Sequence, residues 1–183
     1  MTFLSRHSIA LRGRRVAGAI LFLLLAGVSI GHAGDEPEAK LKGQLSVVLQ
    51  ASVLSIELDV PSADIVGFAH PPKTAAQWKA MRAGSEKLLA GASMFVLPGA
   101  AECRFLGVKI ENPFGPKAEV GEGEQPAFGA RYHYSCRHAK WLSHIDLRYF
   151  ERFPSARTLN ATIHKSHKPR RQHLTPRKTR LRI

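Results

Sequence analysis

Histidine is the residue type whose number and spacing in this chain best suit a chemically active site. The 183 residues include nine histidines, and seven of them follow residue 33. Neutral imidazole binds zinc, which takes three or four N, S or O ligands at about 2 Å in tetrahedral geometry. His164 and His167 are three residues apart, and His173 follows closely. The pattern predicts a zinc site if the fold gathers these rings, and surface histidines of a basic protein are the alternative.

Two further histidines occupy positions that suit a ligand. His133 is expected on the polar face of its strand, where it would join His164 if the two strands pair. His70 precedes Pro71-Pro72 at a corner between a strand and a helix, so its ring faces either a ligand or a backbone hydrogen bond. The candidate metal ligands are therefore His70, His133, His164 and His167.

Hydrolytic chemistry finds little support in the residues. The sequence contains no GxSxG, HExxH or glycine-rich phosphate-binding motif. Ser143, His144 and Asp146 have the residue types of a catalytic triad, but neighbours in sequence say nothing about triad geometry. We therefore predict a protein that is not an enzyme.

Cys103 and Cys136 are the only cysteines of the chain. An even number of cysteines in an exported protein favours a disulfide, because thiols oxidise in that compartment. Two thiolate ligands of a zinc site are the alternative. Neither cysteine belongs to a CxxC motif, which favours the disulfide.

Export itself is predicted from residues 1–33. Four arginines precede an apolar run at residues 16–30, and Gly31-His32-Ala33 offers small residues for cleavage. The run is shorter than the roughly 20 residues that span a bilayer. These residues predict a signal peptide and a mature chain, 34–183, that does not span the membrane; an uncleaved anchor is the alternative.

Charge is concentrated at the end of the chain. The net charge is +13, and residues 164–183 hold eight basic residues and no acidic one. The four arginines of residues 1–33 leave +9 for the mature chain, so the part before residue 164 carries about +1. Such a segment is either a solvated edge strand or a surface for an anionic partner. Export argues against nucleic acid as that partner.

Alternation of apolar and polar residues predicts strands along most of the mature chain. Residues 45–49 and 54–60 form an opening hairpin whose turn lacks the usual Asn-Gly chemistry. Other strands are predicted at residues 94–97, 103–110, 130–136 and 158–164, with an apolar pattern again at 173–183. The apolar face changes within 103–110, which indicates a bulge or burial on both faces.

One longer helix is predicted after the double proline. Thr74 and Gln77 form a capping-box pattern at its start, and Gly91 suits its end. The residues at helical spacing that predict its buried face are Trp78, Met81, Leu88 and Leu89.

Two segments complete the prediction. Residues 112–126 are interpreted as an exposed acidic loop, and residues 139–153 as a short amphipathic piece. The sequence thus predicts an α+β fold. We expect a single domain of mainly antiparallel β-strands, with one longer helix packed on the sheet and one disulfide.

Several segments in the same order resemble the ZrgA-type periplasmic zinc-binding proteins, a family linked to zinc uptake. The most recognisable stretch is ADIVGFAHPPKT at residues 63–74. The others are residues 44–58, MFVLP at 94–98 with Cys103, YHYSC at 132–136, FERFP at 150–154, HLTP at 173–176 and LRI at 181–183.

The resemblance implies a periplasmic, non-enzymatic accessory protein of zinc uptake, with zinc and a zinc permease as partners. Such proteins carry tracts rich in His, Asp and Glu before the first strand and between the two cysteine-bearing strands. Here the corresponding residues, 34–40 and 112–126, contain no histidine. The resemblance therefore implies either a site in the folded core, built from some of the four candidate histidines, or a scaffold that has lost its metal function. The rival hypothesis is an interaction module that binds an anionic surface or partner protein through residues 164–183.

Overall fold

Strands account for most of the regular structure. The computed structural model describes residues 42–115, 124–165 and 168–183, and these contain nine strands and three α-helices. The strands are β1 (Gly43–Gln50), β2 (Val53–Pro61), β3 (Phe95–Val96), β4 (Cys103–Glu111), β5 (Ala127–Cys136), β6 (His144–Leu147), β7 (Leu159–His164), β8 (Arg170–Leu174) and β9 (Arg180–Arg182). The helices are α1 (Ser62–Val66), α2 (Ala75–Leu89) and α3 (Tyr149–Arg152).

The strands form two sheets. The larger sheet has the order β4-β5-β2-β1-β7-β8, and the smaller has the order β3-β6-β9. Neighbours are antiparallel except β1 and β7, which pair in parallel. The predicted α+β fold, with mainly antiparallel strands, one longer helix and a Cys103–Cys136 disulfide, is confirmed.

One face of the larger sheet is buried. On β2, Leu54, Ile56 and Leu58 are at most 2% exposed, while the residues between them are partly exposed. Each such buried aliphatic side chain stabilises the fold by about 1.5–3 kcal/mol. The helices and the apolar residues of the smaller sheet complete the same core. Burial of this face therefore fixes the register of the strands, because a shift by one residue would expose the buried side chains.

Helix α2 begins as predicted and packs differently from the prediction. Thr74 and Gln77 make both hydrogen bonds of the capping box. Met81 and Leu88 are buried, but Trp78 and Leu89 are 43% and 53% exposed, so the predicted four-residue apolar face is wrong for those two. The buried face of α2 passes instead through Gly84, where an added Cβ would lie 2.9 Å from the Ile65 side chain.

The position of Gly91 suggested a glycine that ends the helix. In the structure Gly91 does not adopt the left-handed conformation of a capping glycine. The helix ends at Leu89 with Ala90 as its C-cap, and Gly91 opens a short 3-10 helix, Gly91–Met94. A Cβ on Gly91 would lie 2.6 Å from Cε1 of Tyr132. Glycine is therefore required here by close packing.

Residues 139–153 are not one amphipathic piece. They divide into a 3-10 helix, Ala139–Trp141, then β6 and α3. In β6 the buried Ile145 and Leu147 alternate with the partly exposed His144 and Asp146, which is the period of a strand. The interpretation as one amphipathic piece fails because three short elements with different periods follow one another.

Two local features resolve questions left by the sequence. The hairpin between β1 and β2 turns through Ala51, which has a positive φ of 51°. The pairing of β4 with β5 shifts register between Phe105 and Gly107, so the change of apolar face in β4 reflects a β-bulge.

Parts of the sequence prediction lie outside the described residues. These are the signal peptide at residues 1–33, residues 116–123 of the acidic loop, and His167. Within the described residues, no helix combines the length and apolar character needed to cross a membrane.

The disulfide gives the first prediction. Cys103 and Cys136 lie directly opposite each other on β4 and β5 and close a loop with a sequence separation of 33. Replacing both by serine is expected to lower the free energy of unfolding by about 3 kcal/mol, because the unfolded chain regains loop entropy. Urea unfolding measures the difference. Reductant should destabilise the wild type and leave the double variant unchanged; equal stability of the two proteins would contradict the prediction.

Two buried tyrosines give the second prediction. The Tyr132 hydroxyl donates to the Leu88 carbonyl at 2.8 Å, whereas the Tyr149 hydroxyl has no partner among the described residues. Tyr132→Phe removes a buried hydrogen bond and should cost about 1 kcal/mol, while Tyr149→Phe should be neutral or stabilising. The urea midpoints of the two variants provide the test, and the opposite ranking would contradict it.

Candidate functional site

The outward side chains of the larger sheet form the surface on which two of the predicted ligands lie. We call this surface the open face. Because successive side chains of a strand alternate between faces, burial of Tyr132 and Ile163 turns His133 and His164 outward. The expected outward position of His133 is therefore confirmed.

His133 and His164 lie in one row across the open face. His133 pairs with Ser55, Ser55 with Val48, and Val48 with His164. The two histidines are thus three strand spacings apart, about 14 Å between backbones. Side chains stand roughly perpendicular to a sheet, so the two rings do not converge on one ion. The condition that their strands pair is not met, since β2 and β1 lie between β5 and β7.

His133 is held by a cross-strand hydrogen bond. Its Nδ1 lies 3.0 Å from the Ser55 hydroxyl oxygen on β2. On its other side β4 presents Gly107, where an added Cβ would meet nothing within 4 Å. The ring therefore has room toward β4, and its Nε2 can take a single further ligand or proton there.

His164 ends β7 and is exposed. The next predicted ligand, His167, lies in the two residues, 166–167, that the structure leaves undescribed. The pair His164 and His167 therefore stays a prediction.

His70 occupies the predicted corner after α1. Its Nδ1 lies 2.9 Å from the Pro71 carbonyl oxygen, and its ring stacks on Phe68 with centroids 5.3 Å apart. Phe68 in turn lies 6.1 Å from the Phe114 ring. Of the two roles considered for His70, a backbone hydrogen bond is the one that the geometry shows. The outer nitrogen of this exposed ring is left for solvent or a ligand.

Two histidine–carboxylate pairs were not predicted from the sequence. His138 Nε2 lies 3.6 Å from a Glu102 carboxylate oxygen, and His144 Nε2 lies 3.7 Å from Asp146. The second pair has a sequence signal, because residues two apart on a strand share a face. The first has none, since the pairing of β4 with β5 next to the disulfide brings Glu102 and His138 together.

The second pair is tied into the smaller sheet. The Arg180 guanidinium on β9 donates two hydrogen bonds to Asp146, at 2.6 and 2.8 Å. These hydrogen bonds hold the pKa of Asp146 below its usual value. Ser143 contacts the other ring nitrogen of His144 at 3.0 Å. The Asp146 carboxylate thus links β6 to β9. Ser143, His144 and Asp146 therefore do not form an isolated group.

The potential metal donors of the described residues do not cluster. Within residues 42–115, 124–165 and 168–183, no three His, Cys, Asp or Glu side chains lie close enough to hold one metal ion. Both cysteines are consumed by the disulfide. The described residues therefore do not supply the three or four protein ligands of a closed zinc site.

Two carboxylates approach each other at the far end of the open face. Asp59 and Glu111 both pair with Gly129, and an added Cβ there would lie 3.2 Å from the Glu111 side chain. Burial, and then the negative charge of Glu111, raises the pKa of Asp59. Lys109 binds Glu111 at 2.9 Å and lowers the pKa of that carboxyl. Two donors alone do not define a metal site.

This electrostatic arrangement gives the third prediction. A folded-state pKa above the unfolded value stabilises the fold only while the group is protonated, and this contribution is lost as pH rises through the folded pKa. Asp59→Asn should therefore raise the free energy of unfolding at pH 7, by about 0.5 kcal/mol because exposed charges interact weakly. The gain should vanish below the unfolded pKa of about 3.9.

Chemical unfolding at both pH values measures the effect of Asp59→Asn. Glu86→Gln on the exposed side of α2 is the control, because it makes the same change in net charge away from the pair. A loss of stability in Asp59→Asn at pH 7 would contradict the prediction.

Comparison with known proteins adds the family. A family model described as ZrgA family zinc uptake protein matches residues 40–183. A search of curated proteins found no match. The model spans every strand and helix described above, and well over half of the chain. The chain therefore belongs to the ZrgA family of zinc uptake proteins.

Proposed function

We propose that this protein is an exported, non-catalytic accessory of zinc uptake that binds zinc in the periplasm and passes it to a permease. The observation that carries the proposal is the family match over residues 40–183, which includes the whole described fold. The histidines on and beside the open face supply the imidazole donors that such a role requires.

The proposed zinc ligands are His164 and His167, at the end of β7. Three residues span at most about 10 Å of chain, so both rings can reach one ion. His164 is exposed and makes no side-chain hydrogen bond among the described residues, which leaves its ring nitrogens for coordination. His133 and His70 are each proposed to offer zinc a single imidazole donor, at two separate places on the surface.

A site with two protein donors fits delivery better than storage. Zinc held by two imidazoles keeps open positions for water or for a ligand from another protein. An incoming ligand can therefore displace water before the first two bonds break. The absence of histidine in residues 34–40 and 112–126 agrees with a small number of exchangeable ions.

Export rests on the predicted signal peptide. If residues 1–33 direct secretion, the mature protein begins near Gly34 and its disulfide forms after export. Cell fractionation followed by N-terminal sequencing tests this step separately from zinc binding. Full-length protein retained in the cytoplasm would overturn the periplasmic assignment.

Zinc titration is the fourth prediction. Isothermal titration of the metal-free mature protein with zinc chloride should show binding at pH 7.5 and about 100-fold weaker binding at pH 5.5. Zinc binds neutral imidazole, so protons compete with zinc for each ring, and below the reference imidazole pKa of about 6.5 affinity falls about tenfold per ring for each pH unit.

The double variant His164→Ala/His167→Ala should lose this heat. His173→Ala is the matched control, because the His173 ring on β8 already contacts the Asn160 side chain on β7 at 3.0 Å. No heat from the wild type at micromolar zinc would remove the binding proposal. Unchanged binding by the double variant would assign the site to other residues.

A further inference from the structure

The C-terminal strands bring a set of cations to one edge of the molecule. We call this set the basic ridge. Its six members are all exposed and lie on β8, on β9 and in the turn that joins them: Arg170, Arg171, Arg177, Lys178, Arg180 and Arg182. The ridge is at the side of the larger sheet opposite β4, where β8 forms the edge.

Side-chain hydrogen bonds fix the ridge across the boundary between the two sheets. The Gln172 carboxamide donates to the Arg180 carbonyl at 2.6 Å and accepts from the Arg182 N–H at 3.3 Å. The Arg170 guanidinium contacts the Arg182 carbonyl at 3.5 Å. Gln172 thus satisfies backbone groups of β9 that a neighbouring strand would otherwise pair with. The cations are held side by side by this link.

The charge of the ridge is largely uncompensated. Asp146 neutralises Arg180. For the other five members, no carboxylate of the described residues lies within 4.0 Å. Clustered like charges of this kind produce a positive potential that extends about a Debye length, 8–10 Å, into solution.

An exposed tryptophan lies at the neighbouring end of the smaller sheet. Trp141 is 58% exposed, and the Lys140 ammonium lies 5.7 Å from its ring centroid. Two residues later, the Ser143 carbonyl accepts from the Ile183 N–H at 2.9 Å, next to Arg182. Tryptophan beside lysine and arginine is the composition of proteins that rest in the headgroup region of a membrane.

We propose that the basic ridge and Trp141 form a docking surface for an anionic phospholipid leaflet. The cations follow a sheet edge and a turn, all six are exposed, and only Arg180 has a carboxylate partner among the described residues, which suits mobile phosphate headgroups. Trp141 projects from the surface, where it can enter the interface. An acidic protein segment is the competing partner. The proposal does not depend on zinc binding.

Vesicle binding is the fifth prediction. The purified mature chain should sediment with phosphatidylcholine vesicles that contain one-third phosphatidylglycerol, and not with pure phosphatidylcholine. Because the attraction is screened, binding should fall at least tenfold between about 0.05 M and 0.5 M salt. Absence of binding to the anionic vesicles would overturn the proposal.

Charge reversal locates the surface. The triple variant Arg171→Glu/Arg177→Glu/Lys178→Glu should lose vesicle binding, since none of these side chains makes a hydrogen bond or ion pair among the described residues. The matched control, Lys73→Glu/Lys79→Glu/Arg82→Glu, changes the net charge equally at exposed sites on and before α2. An equal loss in both variants would overturn the assignment to the ridge.

Tryptophan fluorescence tests the second part of the surface. Trp78 and Trp141 are the only tryptophans of the chain, so Trp78→Phe leaves Trp141 as the sole reporter. Its emission should shift to the blue on addition of anionic vesicles. Sedimentation without a blue shift would remove Trp141 from the surface. Equally tight binding of soluble polyglutamate would assign the ridge to an acidic polypeptide and overturn the membrane proposal.

Discussion

The burial of one face of the six-stranded sheet is the constraint on which the rest of the structure depends. Along β2 and β5, every second side chain enters the core, and the paired strands cannot slip by one residue without exposing the whole set. The same parity places His133 and His164 outward. Their distance is then set by the strand order, because β2 and β1 lie between them. Packing of the core therefore decides which donors can meet.

Tyr132 shows how that constraint reaches the helix. Its ring is on the buried face of β5, packs against Phe95 at 5.0 Å, and donates its hydroxyl to the end of α2. Gly91 is kept small by the same ring. Arg152 of α3 also reaches this region and contacts the carbonyls of Lys87 and Ala90 at 3.4 and 3.5 Å. The C-terminal end of α2 is thus positioned by two elements that are distant in sequence, β5 and α3.

The parts of the fold that were predictable are those with a local cause. The hairpin of β1 and β2, the outward position of His133 and the capping box at Thr74 each follow from residue period or from a short motif. Strand order has no such signal, since the parallel pairing of β1 with β7 joins residues more than 100 positions apart. The contribution of His133 to a shared site could not be judged without that order. The Glu102–His138 contact is hidden for the same reason.

The proposed zinc ligands and the proposed lipid-docking surface differ in their chemistry. Arg180 and Arg182 lie on β9 of the smaller sheet, but Arg170 and Arg171 lie on β8 of the larger sheet, which pairs with β7 beside His164. The Gln172 carboxamide joins β8 to β9 through the backbone groups of Arg180 and Arg182. Arg177 lies in the turn between β8 and β9, outside the strands that bear His133 and His164, so a charge change there alters the potential of the ridge at a distance in sequence from those histidines. Zinc coordination by neutral imidazole would depend on pH, whereas binding of an anion by arginine and lysine would depend mainly on ionic strength. A salt titration therefore tests the ridge, and a pH titration tests the imidazoles.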